Sequence, residues 1–284
     1  VTSTEFDNTD CLVLVERSPA AVATHDKAAW LALFARFNLV EDPVGSAPHI
    51  TGIYDACEGY RGRGGLGRFY DTFIAPNTIR FEVDRDIVNG LHVVRDLTIE
   101  IAMSAKVTVR VPAHLLYELI VEGDELKIFR LAAHWELGPM LRQQMASGWP
   151  FLAVGCASAA RMWRHQGLRG MAGFMRAMSG VGAAGKAQVE RFARHFNEAN
   201  AAALEGLFAN PGIAVAFPYA QRNLSIAHCA AEQGSIRFTK LLAAGNVVSA
   251  TVVYQRPDRQ YEGVAIFELD RRSLRIVALS FYWA

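Results

Sequence analysis

The sequence predicts an α+β fold built twice, each half with helices packed on a curved antiparallel sheet, the two joined by a helical linker rich in Met and Arg. Three observations predict it. Residues 15–137 read as helices followed by four long strands in hairpin spacing. The same order returns after residue 186, so a whole domain plan is repeated. The stretch between the copies has its own composition: from Leu137 to Val189 there is no acidic residue, while Arg142, Arg161, Arg164, Arg169, Arg176 and Lys186 supply six positive charges. Six of the seven methionines also fall there. The boundaries that follow are 1–137, 138–185 and 186–284.

In the first copy, Ser18-Pro19 reads as an N-cap followed by proline at the first helical position. Asp26 restarts a helix at AAWLALFARF. LVEDPVGSAPH is a short strand broken by Pro43 and Gly45, and LGRFYDTFI is helical. Four strands then follow, FEVDRDIVNG, LHVVRDLTIEIAMS, KVTVRVPAHLLYELIV and LKIFRLAAHWEL, with hairpin turns at 88–90 and 122–124. In the second copy, KAQVERFARHFNEANAAALEGLF is a helical pair, IAVAFPYAQ a proline-bearing strand and SIRFTKLL a helix-like segment. NVVSATVVYQ, QYEGVAIFELD and LRIVALSFYWA are three strands.

Composition removes several classes of function. With 51% hydrophobic and 20% charged residues the chain is globular, and a net charge of +1 offers no basic excess for neutralising nucleic-acid phosphates. The four cysteines (Cys11, Cys57, Cys156 and Cys229) are isolated, as in a reducing compartment. A polar, acidic N-terminus and the absence of a long apolar run predict a cytoplasmic protein without a membrane span. GRGGLG at 62–67 lacks the spacing of a nucleotide loop, no His/Asp/Glu cluster has metal-ligand spacing, and no GxSxG elbow is present. No cofactor is expected.

The run ALFARFNLVEDPVGSAPHITG at 32–52 closely resembles a stretch of the bacterial ketosteroid isomerases, within the wider SnoaL-like group. Phe69-Tyr70, the ValProAlaHis of 111–114 and the IFRLA of 128–132 extend the resemblance over most of residues 19–136. It implies that the first half is a cone-shaped α+β domain with an apolar pocket and the aspartate before the proline as general base; the second half matches only in its element order and is expected to be a second, degenerate cone. The physics of that position stands apart from the resemblance: a carboxylate inside an apolar cone is desolvated, its pKa rises, and it becomes a better base for a proton next to a carbonyl.

Two departures accompany the resemblance. The family's oxyanion hole pairs a first-helix tyrosine with a protonated aspartic acid on a late strand. Here the corresponding positions carry Ser18 and, anchoring on Pro112, His114. The candidate catalytic residues are therefore Asp42, His114 and Tyr70, with His114 facing Asp42 across the cone. Trp30, Phe69, Phe73 and Trp135 are candidates for the substrate-binding wall, and His49 for its mouth. In the second copy the position of Asp42 falls on Phe217, and Tyr261, Glu262 and Asp270 read as solvated strand and turn residues. That copy is expected to be degenerate and to pack on the first as an intramolecular pseudodimer, with homo-oligomers beyond it open.

The expected function is a cofactor-free isomerase or lyase moving a proton on a hydrophobic, steroid- or polyketide-like carbonyl compound. The alternative is a non-catalytic carrier for such a molecule. The linker has three readings: packing across both halves, a lid over the ligand, or a peripheral membrane contact through 140–180.

Overall fold

The computed structural model describes residues 6–51, 65–210, 214–216, 223–225 and 234–284. Helix α1 spans Asn8–Ala23, and its start is set by Asp7, not by Ser18. The Asp7 side chain accepts from the Asp10 N–H at 2.9 Å, and the Asp10 carboxylate accepts from the Asp7 N–H at 3.0 Å. This reciprocal capping box satisfies two orphan donors, so it outweighs the Ser-Pro signal and leaves Ser18 and Pro19 inside the helix. Helix α2, Lys27–Ala32, starts as expected, with Asp26 accepting from the Ala29 N–H at 2.9 Å.

Strand β1 (Phe34–Glu41) follows at once, where a longer helix was expected, and β2 is His49–Thr51. Helix α3 (Leu66–Phe69) runs on as a π-helical turn over Tyr70–Ile74, within the expected helical segment. Four long strands complete this part: β3 (Thr78–Asn89), β4 (His92–Ser104), β5 (Val107–Glu122) and β6 (Glu125–His134). Gly90 (φ +59°) and Gly123 (φ +66°) close the two expected hairpin turns. The order is β2-β1-β6-β5-β4-β3, with β1 and β6 parallel and the other pairs antiparallel. The sheet is thus mixed where an antiparallel one was expected, because β1 is joined to β6 through the whole domain and not by a hairpin.

The acid-free stretch is helical as expected. It forms α4 (Leu137–Ala146), α5 (Trp149–Met175) and a 3₁₀ turn at Arg176–Met178. Helix α5 is broken at Gly167, whose φ of 66° no helix contains. Then come α6 (Gly182–Asn197) and α7 (Ala201–Glu205), β7 (Ala214–Ala216) and β8 (Asn223–Ser225), which pair with each other. Strands β9 (Ser235–Ala244), β10 (Val247–Gln255), β11 (Gln260–Leu269) and β12 (Ile276–Trp283) form a second, antiparallel sheet in the order β12-β11-β10-β9. The expected helix at SIRFTKLL is strand β9. Its backbone pairs with β10 through Phe238–Val252 and Ile236–Tyr254, and tertiary pairing overrides local preference there.

The helix–helix–strand–strand order of α1, α2, β1 and β2 returns as α6, α7, β7 and β8. A single parallel bridge between Phe208 and Ile276 echoes the Phe34–Ile128 pairing of β1 and β6. Phe217, Cys57, Cys229 and the first residues of GRGGLG lie outside the described residues.

Alternation along the strands explains how the pieces stack. On β5, Val111, Ala113, Leu115 and Tyr117 enter the core under the helices, while Leu116 belongs to a cluster between the two sheets with Ile87, Val94, Val264 and Ile266. On β10, Val248, Val252 and Tyr254 face a third core with Phe192 and Phe196 of α6, and Val247 turns to the first sheet. The sheets therefore pack face to face, each with its own helices outside. Arg85 of β3 forms an ion pair with Glu262 of β11, and Tyr261 is buried. Neither residue is the solvated strand residue expected. Asp270 does serve a turn, accepting from the Ser273 N–H at 2.8 Å.

Candidate functional site

A cavity of about 130 Å³ lies between the helices and the inner face of the six-stranded sheet. Its walls are Trp30, Phe69, Phe73, Ile99, Ile101, Leu131 and Trp135, with Val111, Leu115 and Tyr117 from alternate positions of β5. Met140 of α4 and Phe174 of α5 complete the enclosure, and Phe174 stacks on Phe73 at 5.3 Å between ring centroids. All four aromatic wall residues anticipated from the sequence line it.

Asp42 also lines the cavity, one residue past the end of β1, at a cis peptide bond to Pro43. Its neighbours sort by parity: Val40 is buried in the core, and Glu41 turns outward to Arg130 at 2.8 Å. Trp135 Nε1 donates to Asp42 Oδ1 at 2.5 Å. Burial raises the carboxyl pKa to about 6, against the opposing pull of the Trp135 hydrogen bond. Asp42 is half-buried and lines the cavity.

The second polar group is a hydroxyl pair. Ser18, brought inward by α1, accepts from Trp30 Nε1 at 3.1 Å. It also engages the Tyr117 hydroxyl, a bond that opposes the rise which burial imposes on that phenol. Tyr117 therefore stays protonated, a neutral O–H donor in an apolar chamber that holds an ionisable carboxyl. Asn77 adds an acceptor at the wall: its Nδ2 donates to Phe73 O at 2.7 Å, and its Oδ1 is buried without a partner among the described residues.

His114 is not in this chamber. It shares strand parity with Pro112 and Leu116, so it points out of the opposite face of the sheet. There Nδ1 lies 2.8 Å from Ser249 Oγ and Nε2 3.0 Å from Thr251 Oγ1, both on β10. Asp96, beside it, accepts from Lys240 Nζ at 2.5 Å and from Thr251 Oγ1 at 2.6 Å. Burial holds the His114 pKa down, and the ring is a neutral link between the sheets. The facing Asp42–His114 pair expected from the sequence is thus replaced by a packing contact. A count anchored on Pro112 lands on an outward residue, and only the sheet's pleat shows it.

Tyr70 also stays outside the lining. It is buried at the start of the π-helical turn, 5.5 Å from the Trp30 ring, and its hydroxyl has no hydrogen-bond partner among the described residues. His49 is buried against Phe69 at 4.9 Å and is not solvated. Burial and the nearby Arg68 lower its pKa to about 4. Sequence reasoning missed Tyr117, Met140 and Phe174. Tyr117 carried a usable signal, since it sits at the same parity as Val111 and Leu115; the other two come from the linker, whose placement no local pattern specifies. Among the described residues no group of His, Cys, Asp or Glu is arranged to hold a metal ion.

No family model and no curated protein matches the sequence. Solved structures do resemble the chain over about half its length. A Mycobacterium tuberculosis protein in complex with estradiol-17β-hemisuccinate is 20% identical, with a TM-score of 0.38, over 45% of this chain and 95% of that one. A Δ5-3-ketosteroid isomerase from a Mycobacterium species is 25% identical, with a TM-score of 0.37, over 46% and 96%. A provisionally assigned SnoaL-like polyketide cyclase from Shewanella putrefaciens is 12% identical, with a TM-score of 0.39, over 50% and 99%. Over about half its length, then, the chain is structurally similar to ketosteroid-isomerase-like and SnoaL-like proteins of the cone fold.

Proposed function

We propose that the first half of the chain is a cofactor-free isomerase or lyase that moves a proton on an apolar carbonyl compound, with Asp42 as the general base. One observation carries the reading: a carboxyl with a pKa of about 6 opens into a chamber lined almost wholly by apolar side chains. Such a group is ionised at neutral pH, yet its conjugate acid is strong enough to return the proton, which is the balance general base catalysis needs. Oδ2 of Asp42 takes a proton from the carbon next to the carbonyl, and the electron pair of that C–H bond moves into the enolate. The Tyr117 hydroxyl, supported by Ser18, donates a hydrogen bond to the enolate oxygen in place of the two donors this chain lacks. Asp42 then returns the proton to a conjugated carbon, or the enolate expels a leaving group.

Size narrows the ligand. A cavity of about 130 Å³ is comparable to engineered cavities of about 150 Å³ that hold a single benzene. A fused-ring compound of the steroid or polyketide kind therefore requires Phe174 and Met140 to move aside, which makes the linker a lid. The carrier reading has its own support. Asp42 and Tyr117 are the only ionisable side chains among the described lining residues, so the chamber also suits simple binding of an apolar molecule.

The test is enone formation from a compact cyclic β,γ-unsaturated ketone and from a 3-oxo-Δ5-steroid, beside Asp42→Asn. For the enzyme reading, kcat/KM rises through pH about 6 to a plateau, and Asp42→Asn abolishes turnover while ligand still quenches tryptophan fluorescence. Saturable binding with no turnover of either ketone, unchanged by Asp42→Asn, selects the carrier. Neither binding nor turnover rejects both readings.

A further inference from the structure

Helix α5 presents an apolar stripe that nothing among the described residues covers. Trp149, Leu152, Cys156, Ala159 and Trp163 recur at three- and four-residue spacing, the spacing of one helical face, and all five are exposed. Trp149 is 85% exposed and Trp163 57%. Beyond the break at Gly167, Leu168 (64% exposed), Ala172 and Met175 (50%) continue an apolar edge at the same kind of spacing. Its charge is one-sided, since Arg164, Arg169 and Arg176 are exposed beside it, Arg161 is half-buried, and no acidic residue occurs between Leu137 and Val189.

We propose that this face of α5 docks peripherally on a bilayer surface rich in anionic phospholipid, with Trp149 and Trp163 at the headgroup level and the arginines paired with lipid phosphates. Tryptophans at exposed helix positions suit an interface that is apolar on one side and wet on the other, and a basic flank without acids suits a negative surface potential. A second copy of the chain is the weaker occupant, because its own stripe would bring arginines against arginines. The helix does not cross the membrane: no helix among the described residues is long and apolar enough to do so. The same helix supplies Phe174 to the cavity wall, so a docked α5 connects the lipid phase to the lid. The docking itself does not depend on what the cavity turns over.

Co-sedimentation with vesicles tests it, using phosphatidylcholine alone and phosphatidylcholine with about a third phosphatidylglycerol, in about 0.1 M salt. The whole chain is expected on the anionic vesicles at least about tenfold more strongly than on the neutral ones, and released when salt is raised to about 1 M. Trp149→Ala with Trp163→Ala should weaken that binding on the order of tenfold. Arg161→Gln, Arg164→Gln and Arg169→Gln together should weaken it on the order of 100-fold. All five changes are on exposed or half-buried side chains, and unchanged circular dichroism and thermal midpoint establish that the variants fold. Equal binding to both vesicles, or binding to neither, overturns the proposal. So does light scattering that shows a dimer dissolved by the tryptophan changes with no vesicle binding, since the stripe would then be a self-association surface.

Discussion

Replacing Asp42 by Asn should stabilise the protein at neutral pH, and the size of the gain follows from the cavity. The folded-state carboxyl titrates at about 6, above the ordinary value near 4, because burial disfavours its charged form. Between these values the native state holds a proton that the unfolded chain has released, so stability falls as pH rises through this window. Below pH about 4 the carboxyl is neutral in both states and costs nothing. Above pH about 6 the full penalty is present, and two units at roughly 1.4 kcal/mol each set it at up to about 3 kcal/mol. Water entering the cavity would reduce that figure. Asparagine keeps an oxygen for the Trp135 N–H, so the variant loses the charge without orphaning the donor. Urea denaturation of both proteins from about pH 4 to pH 8 measures the difference. Near-coincidence at the acid end, followed by a growing advantage for Asp42→Asn up to pH about 6 and a constant one beyond, is the expected course. A difference that does not change with pH, or a variant less stable at neutral pH, would refute the claim that Asp42 is desolvated in this chamber.

Four further outcomes can be checked. Tyr117→Phe should lower turnover on the order of 10²–10³ while ligand binding persists, read as a kcat loss with little change in KM; Ser18→Ala should also leave the buried Trp30 N–H without an acceptor, costing about 1–3 kcal/mol in denaturant unfolding. Phe174→Ala should enlarge the cavity and tighten binding of a fused-ring ketone relative to a single-ring one, and an unchanged ratio in fluorescence titration would argue against a lid. Asp96→Asn should destabilise the contact between the sheets by about 3 kcal/mol at neutral pH, because Lys240 loses a buried counter-charge and only one of the two acceptor oxygens remains for Lys240 and Thr251. Burial alone would raise the Asp96 pKa, but its partners together hold it below the usual carboxylate range. The stability it contributes is therefore present above pH about 4 and is lost as pH falls further, so the gap between wild type and variant should close in acid.

Much of the first half was legible because its signals are local. The Asp26 cap, the glycines at 90 and 123 and the long alternating strands each act within a few residues, and each has its predicted place. The errors occur where two local signals compete or where pairing partners are distant. Ser18-Pro19 looks like a helix start, but the Asp7–Asp10 capping box sets the start about three turns earlier. SIRFTKLL has helix-like spacing, but β10 lies beside it and its backbone groups are taken up in a ladder.

By itself the sequence determined an α+β plan with long strands before and after an acid-free, Met- and Arg-rich helical stretch, and it singled out Asp42, Trp30, Phe69, Phe73 and Trp135, all of which line one chamber. Which face each side chain of β5 takes was decided only by tertiary structure. The pleat sends Tyr117 inward to Ser18 and His114 outward to Ser249 and Thr251, and a one-residue difference in register exchanges those roles. The closure of the cavity by Met140 and Phe174 was also a tertiary outcome, because it depends on where the two helices that follow β6 come to rest against the sheet, and no local propensity encodes that.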